Sequence, residues 1–336
     1  LACDQANSGN QPDILGFLKT STMELIRGEY NLRPEHRGCV ATIGNFDGIH
    51  LGHQAILGQL AEKADALDLP TTVISFEPLP REYFSHGQSA TRLARLREKV
   101  QALKRYSVDR LLLLHFNEAM AALTAEEFVQ QILVDKLGIR HLVVGDDFRF
   151  GKGRDGDFDF LLDAGERHGF QVSNMVSFPS DGCRVSSTRI REALIQGDLT
   201  SAEQLLGRPY RLSGRVIHGN KLGRKIGFHT ANMRFGNYNP PLSGIFVVEV
   251  YGLDQEPWPG VASLGVRPTI DENNTEYFLE VHLFDFDQLI YGRHLQVDFL
   301  HKLRDEEKYD TLEALTVQIH QDVKDARAYL EHRQTC

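Results

Sequence analysis

Two periodicities divide the chain. In the first half, short apolar runs alternate with segments whose apolar residues recur every three or four positions. Val40 to Ile43 runs into Gly44, and Ile56, Leu57, Leu60, Ala61, Ala64 and Leu67 then fall on one helical face. Thr71 to Phe76 is a β-branched run after Pro70. Arg92 to Tyr106 reads as a helix carrying Leu93, Leu96, Val100 and Leu103, and Leu111 to Leu114 as a short buried strand. Ala125 to Leu137 reads as a helix capped by Thr124, with Glu126 and Glu127 in its first turn, and His141 to Val144 as another strand. This order predicts an α/β domain with a mainly parallel sheet covered on both faces. Ligands of such sheets bind beyond the carboxyl ends of the strands. His50, His53, Glu77, Pro78 and Asp146 all follow strand ends and are expected to converge there.

Gly207-Arg208-Pro209 marks a change of pattern. Arg211 to His218, Ile245 to Tyr251, Gly260 to Leu264, Phe278 to Leu283 and Leu295 to Leu300 read as short strands separated by turn residues, which predicts a small antiparallel β-barrel. Leu279, Val281 and Leu283 alternate with Glu280 and His282, so one strand face is apolar and the other carries a carboxylate. Leu312, Leu315, Ile319, Val323, Ala326 and Leu330 lie on one face of a C-terminal helix that flanks or plugs the barrel. The expected organisation is an extension over 1–22, an α/β domain over 23–207 and a barrel domain over 208–336.

Composition narrows the class. A chain of 336 residues is long enough for two domains, and 41% hydrophobic with 25% charged residues is ordinary for a globular protein. The net charge of −9 argues against a general nucleic-acid binder, but a small phosphorylated ligand needs only local positive charge. The four cysteines show no C-x-x-C spacing, so neither a disulfide framework nor a zinc site is expected, and a reducing cytoplasm is the expected compartment. No apolar run approaches the length of a membrane span.

Chemistry concentrates in a few stretches. Thr42 to His53 reads T-I-G-N-F-D-G-I-H-L-G-H, a strand feeding a glycine-bearing turn and a helix N-terminus. Such a turn collects backbone N–H groups and a positive dipole end, which suits a phosphate, and two histidines three apart share one face of the first helical turn. Gly145 to Asp157 reads G-D-D-F-R-F-G-K-G-R-D-G-D. On charge and glycine alone it is a solvated loop, but interleaved aromatics and cations suit a planar ring with its phosphate. Arg184 to Arg191, R-V-S-S-T-R-I-R, reads either as a plain capped surface helix or as a phosphate cradle, with Ser187 and Thr188 as cap-type residues. Gly219 to Asn232 is glycine-rich and basic but is not a Walker A loop, and Thr230 and Asn232 offer neutral oxygens fit for Mg²⁺ beside phosphates.

The spacing H-x-G-H after a strand resembles the nucleotidyltransferase superfamily, and the fuller string G-N-F-D-G-I-H-L-G-H resembles the bacterial bifunctional riboflavin kinase/FAD synthetase family. The resemblance extends from Met23 to about Tyr329. It implies a Rossmann-like nucleotidyltransferase domain followed by a kinase barrel. Met23-Glu24-Leu25-Ile26-Arg27-Gly28 looks like that family's usual beginning, which makes Leu1 to Thr22 an expected dispensable extension. Leu-Ala-Cys-Asp resembles a lipoprotein cleavage site only faintly, because no apolar region precedes it.

By this resemblance, Gly44, Asn45, Phe46, Asp47, Gly48, Ser187, Thr188 and Arg191 would hold ATP, with His50 and His53 neutralising charge during adenylyl transfer. Asp147, Phe148, Phe150 and Arg154 would line the flavin side. In the barrel, the stretch is similar to G-x-x-x-G-R-x-x-G-F-P-T-A-N, which gives Gly219, Gly223 and Arg224 to ATP and Thr230 and Asn232 to Mg²⁺. Glu280, in L-E-V-H-L, would be the catalytic base. Arg267 in G-V-R-P-T, Arg293 in Y-G-R and Arg304 in L-R-D-E-E-K-Y would bind flavin. The departure is His229, where the motif usually has proline.

The implied activity is phosphorylation of riboflavin to FMN, then adenylylation of FMN to FAD and pyrophosphate, with ATP as co-substrate. Expected partners are these small molecules and FAD-requiring apoproteins, with no nucleic acid and no membrane. Two other readings compete: one working half beside a barrel that only binds flavin, and a non-catalytic flavin or nucleotide sensor.

Overall fold

The computed structural model describes residues 23–85, 91–175, 179–180, 183–219, 228–236, 238–268 and 275–335. The expected extension Leu1 to Thr22 therefore lies outside the described residues, as do Gly223 and Arg224.

Six strands, β1 (Glu24–Arg27), β2 (Val40–Ile43), β3 (Thr71–Glu77), β4 (Arg110–His115), β5 (His141–Gly145) and β6 (Gln171–Met175), form one sheet in the order β1-β4-β3-β2-β5-β6. Every pair in it is parallel. Alternate residues of these strands enter opposite cores. Val40, Val73, Leu111 and Val143 pack with Leu57 and Leu60 of α1 (Leu51–Leu67) and Leu103 of α3 (Leu96–Arg105). Ala41, Ile74, Leu112, Leu142 and Val144 pack on the other face with Phe128, Ile132 and Leu133, and with Leu161 of α6 (Phe158–His168). A sheet covered on both faces needs apolar residues at both parities, which explains the unbroken apolar runs. β3 lies on one side of β2 and β5 on the other, so the chain reverses direction across the sheet there, and the crevice opens at their carboxyl ends.

Short helices α2 (Pro80–Phe84) and α4 (Glu118–Ala122) follow β3 and β4. The segment expected as one α-helix from Ala125 is α-helical only as α5 (Ala125–Phe128) and continues as a π-helix over Val129–Lys136. Leu137 N–H, for example, donates to Ile132 O at 3.0 Å, five residues back. The helix expected from Arg92 begins at Leu96: Arg95 is its extended N-cap, with its N–H on the Glu98 carboxylate at 2.7 Å, and the N–H groups of Leu93 and Ala94 before it donate to the Asp47 carboxylate. A two-residue ribbon, β7 (Pro179–Ser180) with β8 (Cys183–Arg184), leads to α7 (Ser187–Gln196) and α8 (Leu199–Leu206).

Strands β9 (Tyr210–Ile217), β10 (Ala231–Arg234), β11 (Gly244–Tyr251), β12 (Trp258–Pro268), β13 (Thr275–Leu283) and β14 (His294–Arg304) close into a barrel in the order β10-β13-β12-β11-β14-β9. All neighbours are antiparallel. Leu212, Met233, Phe246, Val248, Leu264, Leu279, Val281 and Val297 share its interior core. That core continues into Ile190, Leu194, Leu199, Leu205 and Leu206 of α7 and α8 and into Leu93 of the α/β domain. The C-terminal helix α9 (Leu312–Thr335) flanks the barrel, covering Val247, Val261 and Leu300 with Val323, Ala326 and Leu330. Among the described residues, no helix is long and apolar enough to cross a membrane.

Candidate active sites

The crevice beyond β2 and β5 is a cavity of about 930 Å³. One end is built from the β2–α1 turn. Phe46 and Ile49 adopt left-handed φ of 45° and 44°, which winds the chain tightly before α1. His50 is the N-cap of α1, and its Nδ1 accepts the His53 N–H at 3.3 Å. The two imidazoles stack with centroids 3.7 Å apart. His50 Nδ1 thus acts as an acceptor, leaving Nε2 as its donor.

Burial, the neighbouring His50 and the ammonium of Lys99, in that order, hold the His53 pKa well below its ordinary value. His53 is therefore a neutral hydrogen-bonding ring at pH 7, which narrows the charge-neutralising role expected of it.

The positive charge comes from two guanidiniums joined to Asp47. Arg191 donates to Asp47 Oδ2 at 2.8 Å and Arg81 to the same oxygen at 3.1 Å. The Ser187 hydroxyl donates to the Asp47 backbone oxygen at 3.0 Å. Asp47 is 2% exposed, a buried part of the cavity lining that holds both arginines in place. The Nε atoms of Arg81 and Arg191 and Nδ1 of His53 are buried without a hydrogen-bond partner among the described residues. Such atoms carry a desolvation cost that no bond among the described residues offsets.

Gly44, Asn45, Phe46, Asp47, His50 and His53 line this cavity, as do Ser187, Thr188 and Arg191. The cap of α7 is Ser186, whose hydroxyl accepts the Arg189 N–H at 3.3 Å; Ser187 and Thr188 are the first helical residues. Gly48 is not part of the cavity lining. Its φ is +86°, and a Cβ there would sit 2.8 Å from Leu93 Cδ1, so glycine serves the turn and the close approach of Leu93.

The other end of the cavity is aromatic. Phe148 and Phe150 stack with centroids 5.4 Å apart, and Phe128 packs on Phe150 at 5.6 Å. Asp147 and Arg154 stand beside them in the lining. Phe76, Phe84, Phe116, Met120 and Arg81 also line the cavity, and none was expected from the sequence. Phe76 is the last residue but one of β3 and Phe116 follows β4, so the rule that ligands sit at strand carboxyl ends was the available signal. Of the other strand-end residues, Asp146 lines the cavity, whereas the Glu77 carboxylate takes two bonds from Arg92, at 2.7 and 3.1 Å.

The second constellation lies on the barrel. In the ladder, Glu280 of β13 pairs with Asn232 of β10 on one side and Ser263 of β12 on the other, so the three side chains share a face. Asn232 Nδ2 contacts both Thr230 O and Thr230 Oγ1 at 3.2 Å, and Ser263 Oγ donates to Glu306 Oε1 at 2.9 Å. A Cβ on Gly219 would sit 2.5 Å from the Asn232 carboxamide, so only glycine lets β9 end against that side chain. His229 is exposed, its Nδ1 lies 3.8 Å from Asp287, and its backbone oxygen accepts from His282 Nδ1 at 3.0 Å.

The arginines of the barrel expected to bind flavin have other partners where their side chains are described. Arg293 donates to Gly252 O at 3.1 Å. Arg304 makes a two-pronged pair with Asp322 of α9 at 2.7 and 2.8 Å. The Arg267 side chain lies outside the described residues.

Comparison with known proteins follows the same two-part division. A family model described as FAD synthetase matches residues 32–189, and one described as riboflavin kinase matches residues 206–330. The bifunctional riboflavin kinase/FMN adenylyltransferase of Pseudomonas fluorescens is 52% identical over 306 residues, covering 91% of this chain and 97% of that protein. Its namesake in Haemophilus influenzae is 49% identical over 307 residues, covering 91% and 99%, and that of Escherichia coli 46% over 308, covering 91% and 98%. A crystal structure described as a macrolide-efflux protein from Streptococcus pneumoniae superposes with a TM-score of 0.76 at 30% identity, covering 91% of this chain and 98% of that one.

Proposed function

The chain belongs to the bifunctional riboflavin kinase/FMN adenylyltransferase family, enzymes that phosphorylate riboflavin and adenylylate FMN, and we propose which of its residues carry each step. The observation that carries the reading is the meeting, in one cavity lining, of two guanidiniums gathered on Asp47 with a wall of phenylalanines. A nucleoside triphosphate and a flat tricyclic ring need those two environments side by side.

In the α/β domain, the FMN phosphate attacks the α-phosphorus of ATP. A new P–O–P bond forms, the α–β bridge breaks, and pyrophosphate leaves. Arg191, Arg81 and the N-termini of α1 and α7 supply positive potential where charge builds on the bridging and leaving oxygens. The His50 and His53 rings add hydrogen bonds there. Phe148, Phe150 and Phe116 take the isoalloxazine and adenine faces.

In the barrel, the Glu280 carboxylate accepts the proton of the ribityl 5′-hydroxyl as its oxygen attacks the γ-phosphorus, and ADP leaves. Thr230 Oγ1 and the Asn232 carboxamide oxygen are hard oxygen donors beside a carboxylate, a set that fits Mg²⁺. When bound, the cation would neutralise phosphate charge, and the protein's share of the work is positioning. We assign Arg304 to holding α9 rather than to flavin. The buried free thiol of Cys39 suits a reducing compartment such as the cytoplasm, and the reading makes FAD-requiring apoproteins the consumers of the product.

The test is purified protein with riboflavin and MgATP, and separately with FMN and MgATP, the products being separated by chromatography. FMN and then FAD should accumulate from riboflavin. FAD formed from FMN with none from riboflavin would establish the one-working-half reading, with His229 as the first residue to exchange.

A further inference from the structure

The segment Arg92–Ala94 runs between the two domains and is held from both sides. On the α/β side, Leu93 N–H donates to Asp47 Oδ1 at 3.0 Å and Oδ2 at 3.2 Å, and Ala94 N–H donates to Oδ1 at 3.1 Å. On the barrel side, the Tyr238 hydroxyl lies 3.0 Å from Arg92 O and 3.2 Å from Leu93 O. Carbonyl oxygens only accept, so Tyr238 spends its single proton on this pair. The 3.1 Å contact between Tyr238 Oη and Tyr210 Oη is then a bond donated by Tyr210. Both phenols are buried, and burial raises the pKa of each, so both keep their protons at physiological pH.

The same junction is reinforced around the segment. The Arg95 guanidinium lies over the rings of Phe235 and Tyr238, at 5.0 and 5.4 Å, and donates to Ser213 O. Ser213 Oγ donates to Glu98 at 2.9 Å.

Asp47 joins this strap to the cavity. Its carboxylate is buried, and its stability there depends on every donor it receives. Two of those donors are the strap's N–H groups and two are Arg81 and Arg191. A shift of the strap therefore moves the carboxylate, and with it the two guanidiniums that face the ligand. We propose that Tyr238, a residue of the barrel domain, is a positioning residue for adenylyl transfer in the α/β domain, acting through Arg92–Ala94 and Asp47 on Arg81 and Arg191. This rests on the assignment of FMN adenylylation to the cavity of the α/β domain. It also means that the barrel serves both reactions, its own by chemistry and the other by support.

The experiment uses the full chain in four forms: natural, Tyr238→Phe, Asp47→Asn and the double variant. Each is assayed for FMN adenylylation and for riboflavin phosphorylation in one preparation. Tyr238→Phe keeps the ring and its packing and leaves two carbonyls without their donor. It should lower kcat for FMN adenylylation about five- to tenfold, with KM for FMN and the rate of riboflavin phosphorylation within about twofold of the natural chain. Asp47→Asn should cost more, and adding Tyr238→Phe to it should cost less than about twofold further, because the hydroxyl acts through Asp47.

Three outcomes overturn the inference: normal adenylylation in Tyr238→Phe, equal losses in both reactions, or fully additive losses in the double variant. If instead the natural chain makes no FAD from FMN, the assignment of the cavity itself fails, and the inference goes with it.

Discussion

At the scale of single residues, the cavity proposed for adenylylation brings neutral and charged groups together. His53 is held neutral by burial and by His50 and Lys99, so under that proposal it would contribute directional hydrogen bonding, while Arg81 and Arg191 would bring the charge. His50→Ala or His53→Ala should lower kcat for FAD formation on the order of 100-fold. Riboflavin phosphorylation should be unchanged, and product chromatography separates the two rates. Lys99 gives a second prediction. It is 1% exposed, its Nζ donates to Ser75 Oγ at 3.2 Å, and burial brings its pKa down to about 8 against the pull of Asp47, Glu77 and Glu82. Between about 8 and the ordinary value of 10.5, the unfolded chain holds a proton that the folded chain has released. Stability from this group therefore rises with pH through that window and is lost as pH falls back through about 8. Lys99→Met should flatten that rise in urea midpoints taken from pH 7 to 10. An unchanged slope would remove Lys99 as its source. The histidines, Ser187, Thr188 and Arg191 were legible because each sits in a short motif at a helix start. Arg81 and Phe116 were not, because they reach the cavity only through strand order.

At the scale of elements, the sequence reading found the parallel sheet and the barrel but not every member. β10 is four residues long and begins inside the stretch read as a nucleotide loop, and β1 and β6 carry too few apolar residues to stand out. The start of α3 differs from the expected one because Arg92–Ala94 is held by a partner far away in sequence, Asp47, and the helix is capped only at Arg95. Arg304 shows the same limit. A motif shows that a residue is required without saying whether ligand or helix requires it. Its paired bonds to Asp322, whose side chain is 6% exposed, fasten α9 against the barrel. Removing one partner of such a buried pair leaves a charge without compensation. Arg304→Ala should therefore destabilise the barrel by roughly 3 kcal/mol, while KM for riboflavin at a temperature well below melting changes less than about twofold. A large rise in KM with an unchanged melting temperature would restore the flavin-contact role.

At the scale of the whole molecule, the change of pattern near Gly207 is a boundary of architecture and not of packing. One continuous core holds Leu93 of the α/β domain, Leu199, Leu205 and Leu206 of α8, and Leu212, Phe246 and Val297 of the barrel. Polar bonds cross the same junction: Arg208 donates to Gly48 O at 2.9 Å and Ser213 to Glu98 at 2.9 Å. Apolar burial shared in this way is lost by both halves when either unfolds, so neither half reaches its full stability alone. The two architectures should therefore melt together. The chain offers a probe for each. Its one tryptophan, Trp258, lies in β12 with its indole N–H on Asp254 at 2.7 Å, so its fluorescence follows the barrel. Far-ultraviolet ellipticity follows the helices, among them α1, α3, α5 and α6 on the parallel sheet. On heating, the two signals should change with coincident midpoints. Leu93→Ala, which opens a cavity at the junction at a cost of about 2–5 kcal/mol, should lower the common midpoint and draw the two signals apart. Natural chains whose fluorescence and ellipticity midpoints already differ by many degrees would show that the halves are energetically independent, and that the shared core is contact without coupling.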